Sequence, residues 1–103
     1  MGGLSGPALK PITLRMTYQC ARAVSIPVIG CGGISTIDDV LEYLIAGARA
    51  VQVGTATFIS PTTMPRLIRD LDQRLAERGL SSVTDLIGTV DVAEEAIAIA
   101  EYA

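Results

Sequence analysis

The sequence IPVIGCGGI, residues 26–34, decides the fold class of this 103-residue chain. Its first half is a short apolar run ending in glycine, which is typical of a parallel strand buried on both faces. Ser35 and Thr36 follow, and either hydroxyl can cap a helix whose first turn holds Asp38 and Asp39. The succession of strand, glycine loop and capped helix predicts a β/α unit.

A second unit of the same kind begins at VQVGTA, residues 51–56. This strand also ends in glycine, and a helix capped by Thr63 with Pro65 in its first turn is predicted after it, with Leu67, Ile68, Leu71 and Leu75 on its apolar face. Strands that alternate with helices indicate a parallel α/β sheet. A complete (β/α)₈ barrel needs roughly 250 residues, so we expect this chain to hold only part of one.

The flanking segments are predicted to be helical. A helix from about Thr13 should end near Val24, because Pro27 disfavours helical backbone before it. Cys20 lies within this helix, and its side chain is expected to pack against the rest of the protein. Near the C-terminus, Asp91 and Glu94 have the spacing of a capping box and predict a marginal helix over residues 91–103.

Composition excludes several function classes. The net charge is −3, no basic run is present and Trp is absent, which argues against nucleic-acid binding. No apolar run is long enough to cross a membrane, and the N-terminus lacks the features of a signal peptide. The two cysteines lack metal-ligand spacing and fit reduced thiols, so we expect a cytoplasmic protein without a metal site. Half of the residues are hydrophobic, so we expect part of the apolar surface to be covered by a further segment or by a partner.

The glycine loops after the two strands predict a phosphate site. The carboxyl ends of parallel strands meet at one face of a barrel, where loops present N–H groups to anions. Gly32, Gly33, Gly54 and Thr55 match this arrangement. The alternative for each glycine is a tight turn without a ligand, but the recurrence of the pattern in consecutive units favours phosphate binding.

No catalytic residue is predicted within the chain. Cys31 sits at a strand end, but the sequence holds no histidine to activate a thiol, so a small structural side chain is the better interpretation. The carboxylates fall on helix faces or caps. Lys10 and Arg15 could reach a phosphate, although a solvated position is favoured for both.

Several motifs together resemble the catalytic subunit of class 1B dihydroorotate dehydrogenase. They are GGLSGPA at residues 2–8, KP at 10–11, LRM at 14–16, IPVIGCGGI at 26–34, AGA at 46–48 and VQVGTA at 51–56. The resemblance covers residues 1–88 and implies the C-terminal portion of an FMN-binding (β/α)₈ TIM barrel, two parallel strands with flanking helices. Residues 89–103 do not match the family's ending and are expected to form a divergent helical tail.

The resemblance also implies a function. Gly6, Gly32, Gly33, Gly54 and Thr55 would contact FMN, the last four mainly at its phosphate. The reaction would be oxidation of dihydroorotate to orotate in pyrimidine (UMP) biosynthesis, in a homodimer paired with an iron–sulfur and FAD subunit. The family's proton-abstracting cysteine, its flavin-binding lysine and its substrate-binding asparagines precede the sixth strand's end and have no counterpart here, so the chain is expected to be inactive alone. Two alternatives stay open: a phosphate- or flavin-binding module that self-associates, and the related domain of dihydropyrimidine dehydrogenase.

Overall fold

A computed structural model describes residues 2–90 as an α/β unit in which helices pack against a two-stranded parallel sheet. The predicted helical tail over residues 91–103 lies outside the described residues. Short 3₁₀ turns at Pro7–Leu9 and Val83–Asp85 flank the main elements. These elements are α1 (Lys10–Ala23), β1 (Ile29–Cys31), α2 (Ile37–Ala46), β2 (Ala50–Gln52), α3 (Thr55–Ile59) and α4 (Thr63–Glu77).

The two strands pair in parallel, with Ile29 opposite Ala50 and Cys31 opposite Gln52. The prediction that the first strand is buried on both faces is wrong for the described residues. Gly30 is buried, but Ile29 is 55% exposed, because helices cover one face of the sheet and leave the other open. The side chains of both strand pairs, Ile29 with Ala50 and Cys31 with Gln52, are exposed on that open face.

Helix α2 forms the centre of the core, and its start was predicted from the sequence. The Thr36 hydroxyl accepts from the Asp39 N–H while the Asp39 carboxylate accepts from the Thr36 N–H, which completes a capping box. The helix ends at Gly47, as predicted. Its buried side chains join those of neighbouring elements in one apolar cluster: Ile34, Ile37, Val40, Leu41, Tyr43, Leu44, Ala48, Leu67 and Leu86.

Two helices differ from their sequence predictions. Helix α1 begins at Lys10, three residues early, because Pro11 is tolerated in a first turn where its missing N–H is not needed. Thr63 does not cap α4; its buried hydroxyl donates to the carbonyls of Ser60 and Ala56. Ile68, predicted on the apolar face of α4, is 65% exposed.

Cys20 is exposed on α1, so the prediction that it packs inside the helix is wrong. The side of α1 that meets the core carries the buried Thr17 and the partly buried Leu14 instead. An amphipathic pattern locates a helix, but the tertiary packing decides which residues at the border of its apolar face are covered.

Candidate functional site

A cleft of about 270 Å³ lies at the carboxyl ends of the two strands. Three segments form its walls: the glycine-rich stretch before α1, the loop after β1 and the loop after β2. The structure thus brings together all the residues that the sequence assigned to a cofactor, since each of them lines this one cleft: Gly6, Gly32, Gly33, Gly54 and Thr55. Their role toward a ligand stays a prediction.

Backbone N–H groups are available on both loops. Within residues 2–90, the N–H groups of Gly33 and Ile34 donate to no acceptor, and the same holds for Thr55 and Ala56. Unpaired backbone donors cost free energy unless water or a ligand accepts from them. Successive backbone N–H groups without an acceptor can form an anion-binding concavity in a loop.

The loop after β1 packs so closely that only glycine fits at its tightest point. Gly33 has a φ of +67°, and a Cβ there would come within 2.8 Å of the Lys10 backbone nitrogen and 3.0 Å of the Gly6 carbonyl oxygen. The loop therefore rests directly on the segment before α1. This contact fixes two walls of the cleft against each other.

A buried tyrosine also holds the loop after β1, and it was not among the residues predicted from the sequence. Tyr43 on α2 is completely buried, and its hydroxyl donates to the Gly32 carbonyl oxygen at 2.6 Å. The Thr13 hydroxyl lies 2.5 Å from the Tyr43 oxygen and 3.5 Å from the same carbonyl. The Gly32 carbonyl oxygen is thus held toward Tyr43 by a buried hydrogen bond, which restrains this part of the loop. A tyrosine within an apolar helix face was the only signal available in the sequence.

Lys10 does not line the cleft, and it is half-buried and paired with carboxylates where a solvated position was expected. Its ammonium contacts the Asp39 carboxylate at 2.6 Å and the Glu42 carboxylate at 2.9 Å. These two hydrogen bonds raise the pKa of Lys10 above its ordinary value, against the opposing effect of burial. Arg15 lies exposed on α1 and is not among the residues that line the cleft.

Asp39 is held ionised by its neighbours. Burial raises its pKa, but the hydrogen bond from Lys10 and the backbone N–H groups of Ser35 and Thr36 outweigh that effect and hold the pKa at about 2. A carboxylate with three such donors is stabilised in its charged form. The Asp39 side chain is only 11% exposed, so solvent screens these contacts weakly.

We expect this pair to make the fold sensitive to acid. The pKa of Asp39 is about 2 in the folded state, below the ordinary 3.8 of the side chain, so the stabilisation is complete above about pH 4 and is lost as pH falls through about 2. The free energy of unfolding should decrease by about 2 kcal/mol over this interval. Urea unfolding followed by circular dichroism between pH 2 and 5 measures it.

The variant Asp39→Asn should be less stable near neutral pH and should lack this part of the acid dependence. The matched control is Asp38→Asn, since Asp38 is adjacent on α2 but 68% exposed, where it pairs with Arg74. An Asp39→Asn chain whose stability changes with pH as the wild type does would contradict the assignment.

Cys31 and Gln52 also line the cleft, where the open sheet face meets it. Cys31 is exposed there, and no histidine exists in the chain to form a pair with it. Over residues 2–90, no cluster of three or more potential metal ligands is present. In the same part of the chain, no helix combines the length and apolar character needed to cross a bilayer.

Comparison with known proteins links this geometry to a family. A family model described as dihydroorotate dehydrogenase matches residues 1–75. The NAD⁺-linked dihydroorotate dehydrogenase B catalytic subunit of Trichlorobacter lovleyi is 53% identical over 90 residues, which are 87% of this chain and 30% of that protein. The corresponding subunit of Halalkalibacterium halodurans is 54% identical over 87 residues, 84% of this chain and 28% of that protein.

Solved structures agree with the sequence matches. A crystal structure of dihydroorotate dehydrogenase from Eimeria tenella, in complex with ferulenol, superposes with a TM-score of 0.79 at 32% sequence identity. The superposition covers 86% of this chain and 24% of that one. The chain therefore spans about 30% of the length of the curated relatives that it matches.

Proposed function

Since the chain belongs to the dihydroorotate dehydrogenase family, we propose that its glycine loops form the phosphate-binding part of an FMN site in an enzyme that oxidises dihydroorotate to orotate. The observation that carries this proposal is the convergence of Gly6 and two strand-end loops on one cleft. Loops after consecutive strands, at the carboxyl end of a parallel sheet, are a common phosphate site in barrels.

The cleft fits a phosphate ester on two grounds. Its N–H donors at Gly33, Ile34, Thr55 and Ala56 have no acceptor among residues 2–90. A Cβ built on Gly54 meets no atom within 4 Å, so the backbone there faces open space that a ligand can occupy. When bound, FMN supplies the hydride acceptor, while these residues bind and orient its phosphate.

The open face of the sheet supports the further proposal that the unit is the C-terminal portion of a (β/α)₈ barrel. Helices cover one face of β1 and β2, and the other face exposes Ile29 and Cys31 beside Ala50 and Gln52. In a closed barrel, such inward side chains are covered by those of other strands.

The proposed enzyme would act in pyrimidine (UMP) biosynthesis as a homodimer, together with an iron–sulfur and FAD subunit that passes electrons to NAD⁺. The family resemblance supports this assembly, as does the naming of the curated relatives as NAD⁺-linked catalytic subunits. The 103-residue sequence has no counterpart of the family's proton-abstracting cysteine. We therefore propose that a polypeptide of this sequence binds the cofactor phosphate but does not turn over by itself.

Titration of the purified chain with FMN and with riboflavin tests the proposal. FMN should bind at least about 100-fold more tightly, because two or more backbone N–H groups donate to its charged phosphate at roughly 1.5–3 kcal/mol each. Flavin fluorescence quenching reports both dissociation constants. The same preparation should show no oxidation of dihydroorotate above background.

Equal affinities for the two flavins would refute the phosphate site, and measurable turnover would refute the inactivity of the isolated chain. Gly54→Ala provides a check within the cleft: the added methyl meets no protein atom, so the fold should persist while FMN affinity falls about tenfold by crowding. A defined oligomer that retains FMN would favour the self-associating module over an enzyme part.

A further inference from the structure

We propose that Asp39, held by Lys10, is a positioning residue for the phosphate loop, and that Lys10 acts through Asp39 rather than as a phosphate ligand. This inference rests on the proposed function of the cleft. It goes beyond that function because it assigns a role to two charged residues that are absent from the cleft lining.

One oxygen of Asp39 holds the end of the loop after β1. The Oδ2 atom accepts from the N–H groups of Ser35 and Thr36, both at 3.0 Å, and from the Ser35 hydroxyl at 3.3 Å. Three donors on one carboxylate oxygen fix the backbone at residues 35–36. The immediately preceding N–H groups, those of Gly33 and Ile34, are the ones left for a ligand.

The other oxygen of Asp39 ties this loop to a second wall of the cleft. The Oδ1 atom accepts from the Lys10 ammonium at 2.6 Å. Lys10 begins α1, directly after the segment that carries Gly6, and Gly33 packs against the backbone of Lys10. The ion pair between Lys10 and Asp39, which are 29 residues apart in sequence, therefore connects the start of α1 with the residue that holds the end of the loop after β1.

The charge of Lys10 is already balanced. Its ammonium also contacts Glu42 at 2.9 Å, so two carboxylates surround one cation. A cation in this position adds no net positive charge toward the cleft. Binding of the phosphate in the cleft thus depends on backbone N–H groups, and the ion pair acts by holding those groups in place.

The variant Asp39→Asn distinguishes a positioning role from a direct electrostatic effect, because the two predict opposite changes in FMN affinity. Removal of a negative charge near an anion site favours the anion on electrostatic grounds alone. A positioning role predicts weaker FMN binding, since an amide cannot accept from the two backbone N–H groups and still attract Lys10. We expect the FMN dissociation constant to rise about tenfold, while that for riboflavin, which has no phosphate, stays within about twofold.

Lys10→Met tests the same inference with the backbone contacts of Asp39 left in place, so the proposal stays testable where Asp39→Asn fails to fold. It should weaken FMN binding about as much as Asp39→Asn does. The double variant should bind FMN no more weakly than whichever single variant binds it less well, because both substitutions act through one ion pair. Asp38→Asn is the matched control and should leave both flavin affinities unchanged. The full 103-residue chain is used throughout, with urea unfolding of each variant.

The outcomes distinguish the two levels of the proposal. A wild-type chain without preference for FMN overturns the proposed function and the role of Asp39 with it. A wild-type preference that survives in Asp39→Asn and Lys10→Met overturns the positioning role alone. Tighter FMN binding by Asp39→Asn together with weaker binding by Lys10→Met identifies Lys10 as a direct ligand and also overturns it. Equal losses of FMN and riboflavin affinity would indicate general destabilisation and count against positioning.

Discussion

Replacement of Gly33 by alanine is expected to weaken FMN binding by about 100-fold, and to lower the free energy of unfolding by roughly 2–4 kcal/mol. Gly33 has a φ of +67°, where an L-residue costs roughly 1–2 kcal/mol. The added Cβ would also approach the Lys10 nitrogen to 2.8 Å. Because that nitrogen belongs to the backbone, it cannot rotate away as a flexible side chain would.

The loop must therefore move, and the N–H groups of Gly33 and Ile34 move with it. Loss of two hydrogen bonds to a charged phosphate, each at about 1.5 kcal/mol, the lower end of the usual range, accounts for the expected change in affinity. Flavin titration and urea unfolding measure the two effects. The prediction fails if Gly33→Ala binds FMN as tightly as the wild type.

Gly79→Ala is the matched control for this substitution. Gly79 has nearly the same φ, +71°, but its added Cβ meets no atom within 4 Å. It follows α4 and does not line the cleft. Gly79→Ala should cost about 1 kcal/mol of stability through backbone strain alone and leave FMN affinity unchanged, so the difference between the two variants isolates the contacts of residue 33 with Lys10 and Gly6.

Replacement of Tyr43 by alanine is expected to remove about 3–5 kcal/mol of stability, enough to unfold much of a small domain whose total is roughly 5–15 kcal/mol. The ring is completely buried between α2 and the sheet. It lies so close to β1 that a Cβ on Gly30 would meet the Tyr43 Cδ1 atom at 2.5 Å. Alanine would leave a cavity at this point, and urea unfolding followed by circular dichroism gives the loss.

Tyr43→Phe separates the ring from the hydroxyl. It keeps the packing but, among residues 2–90, leaves the Gly32 carbonyl with only the 3.5 Å contact from Thr13, which should cost about 1–3 kcal/mol. Tyr18→Phe is the control, since its hydroxyl makes a 3.5 Å exposed contact with Arg22, and it should change stability by less than about 0.5 kcal/mol. A Tyr43→Ala chain that unfolds at the wild-type urea concentration would contradict the structural role.

Local patterns predicted much of the fold. Apolar runs ending in glycine located both strands, although β1 begins three residues later and ends one residue later than predicted, and β2 ends two residues earlier. Ser35 and Thr36, either of which could cap a helix, located the start of α2, and Thr36 is the cap. These signals are readable because a cap or a strand end depends on residues close together in the chain. Gly32, Gly33, Gly54 and Thr55 were also predicted correctly to be neighbours, since parallel strands bring their carboxyl ends to one edge. Gly6, which was assigned from the family resemblance, lines the same cleft.

Contacts between distant residues were not predicted. Lys10 was interpreted as solvated, yet it pairs with an aspartate 29 residues away. Tyr43 was not singled out, although it supports the loop after β1 through a carbonyl 11 residues away. Cys20 and Ile68 were expected to pack and are exposed, because the covered part of an amphipathic helix depends on the shape of its neighbours.

The amino-acid sequence by itself determined the order of strands and helices, the capped start of α2 and the glycine loops at the strand ends, because each of these follows from the conformational preferences of neighbouring residues. Only the tertiary structure decided that Gly33 rests on Lys10, that Lys10 is paired with Asp39 and that one face of the sheet stays open. Those features arise from the packing of α1 and α2 against the sheet, and the geometry of that packing is not encoded in any single stretch of the chain.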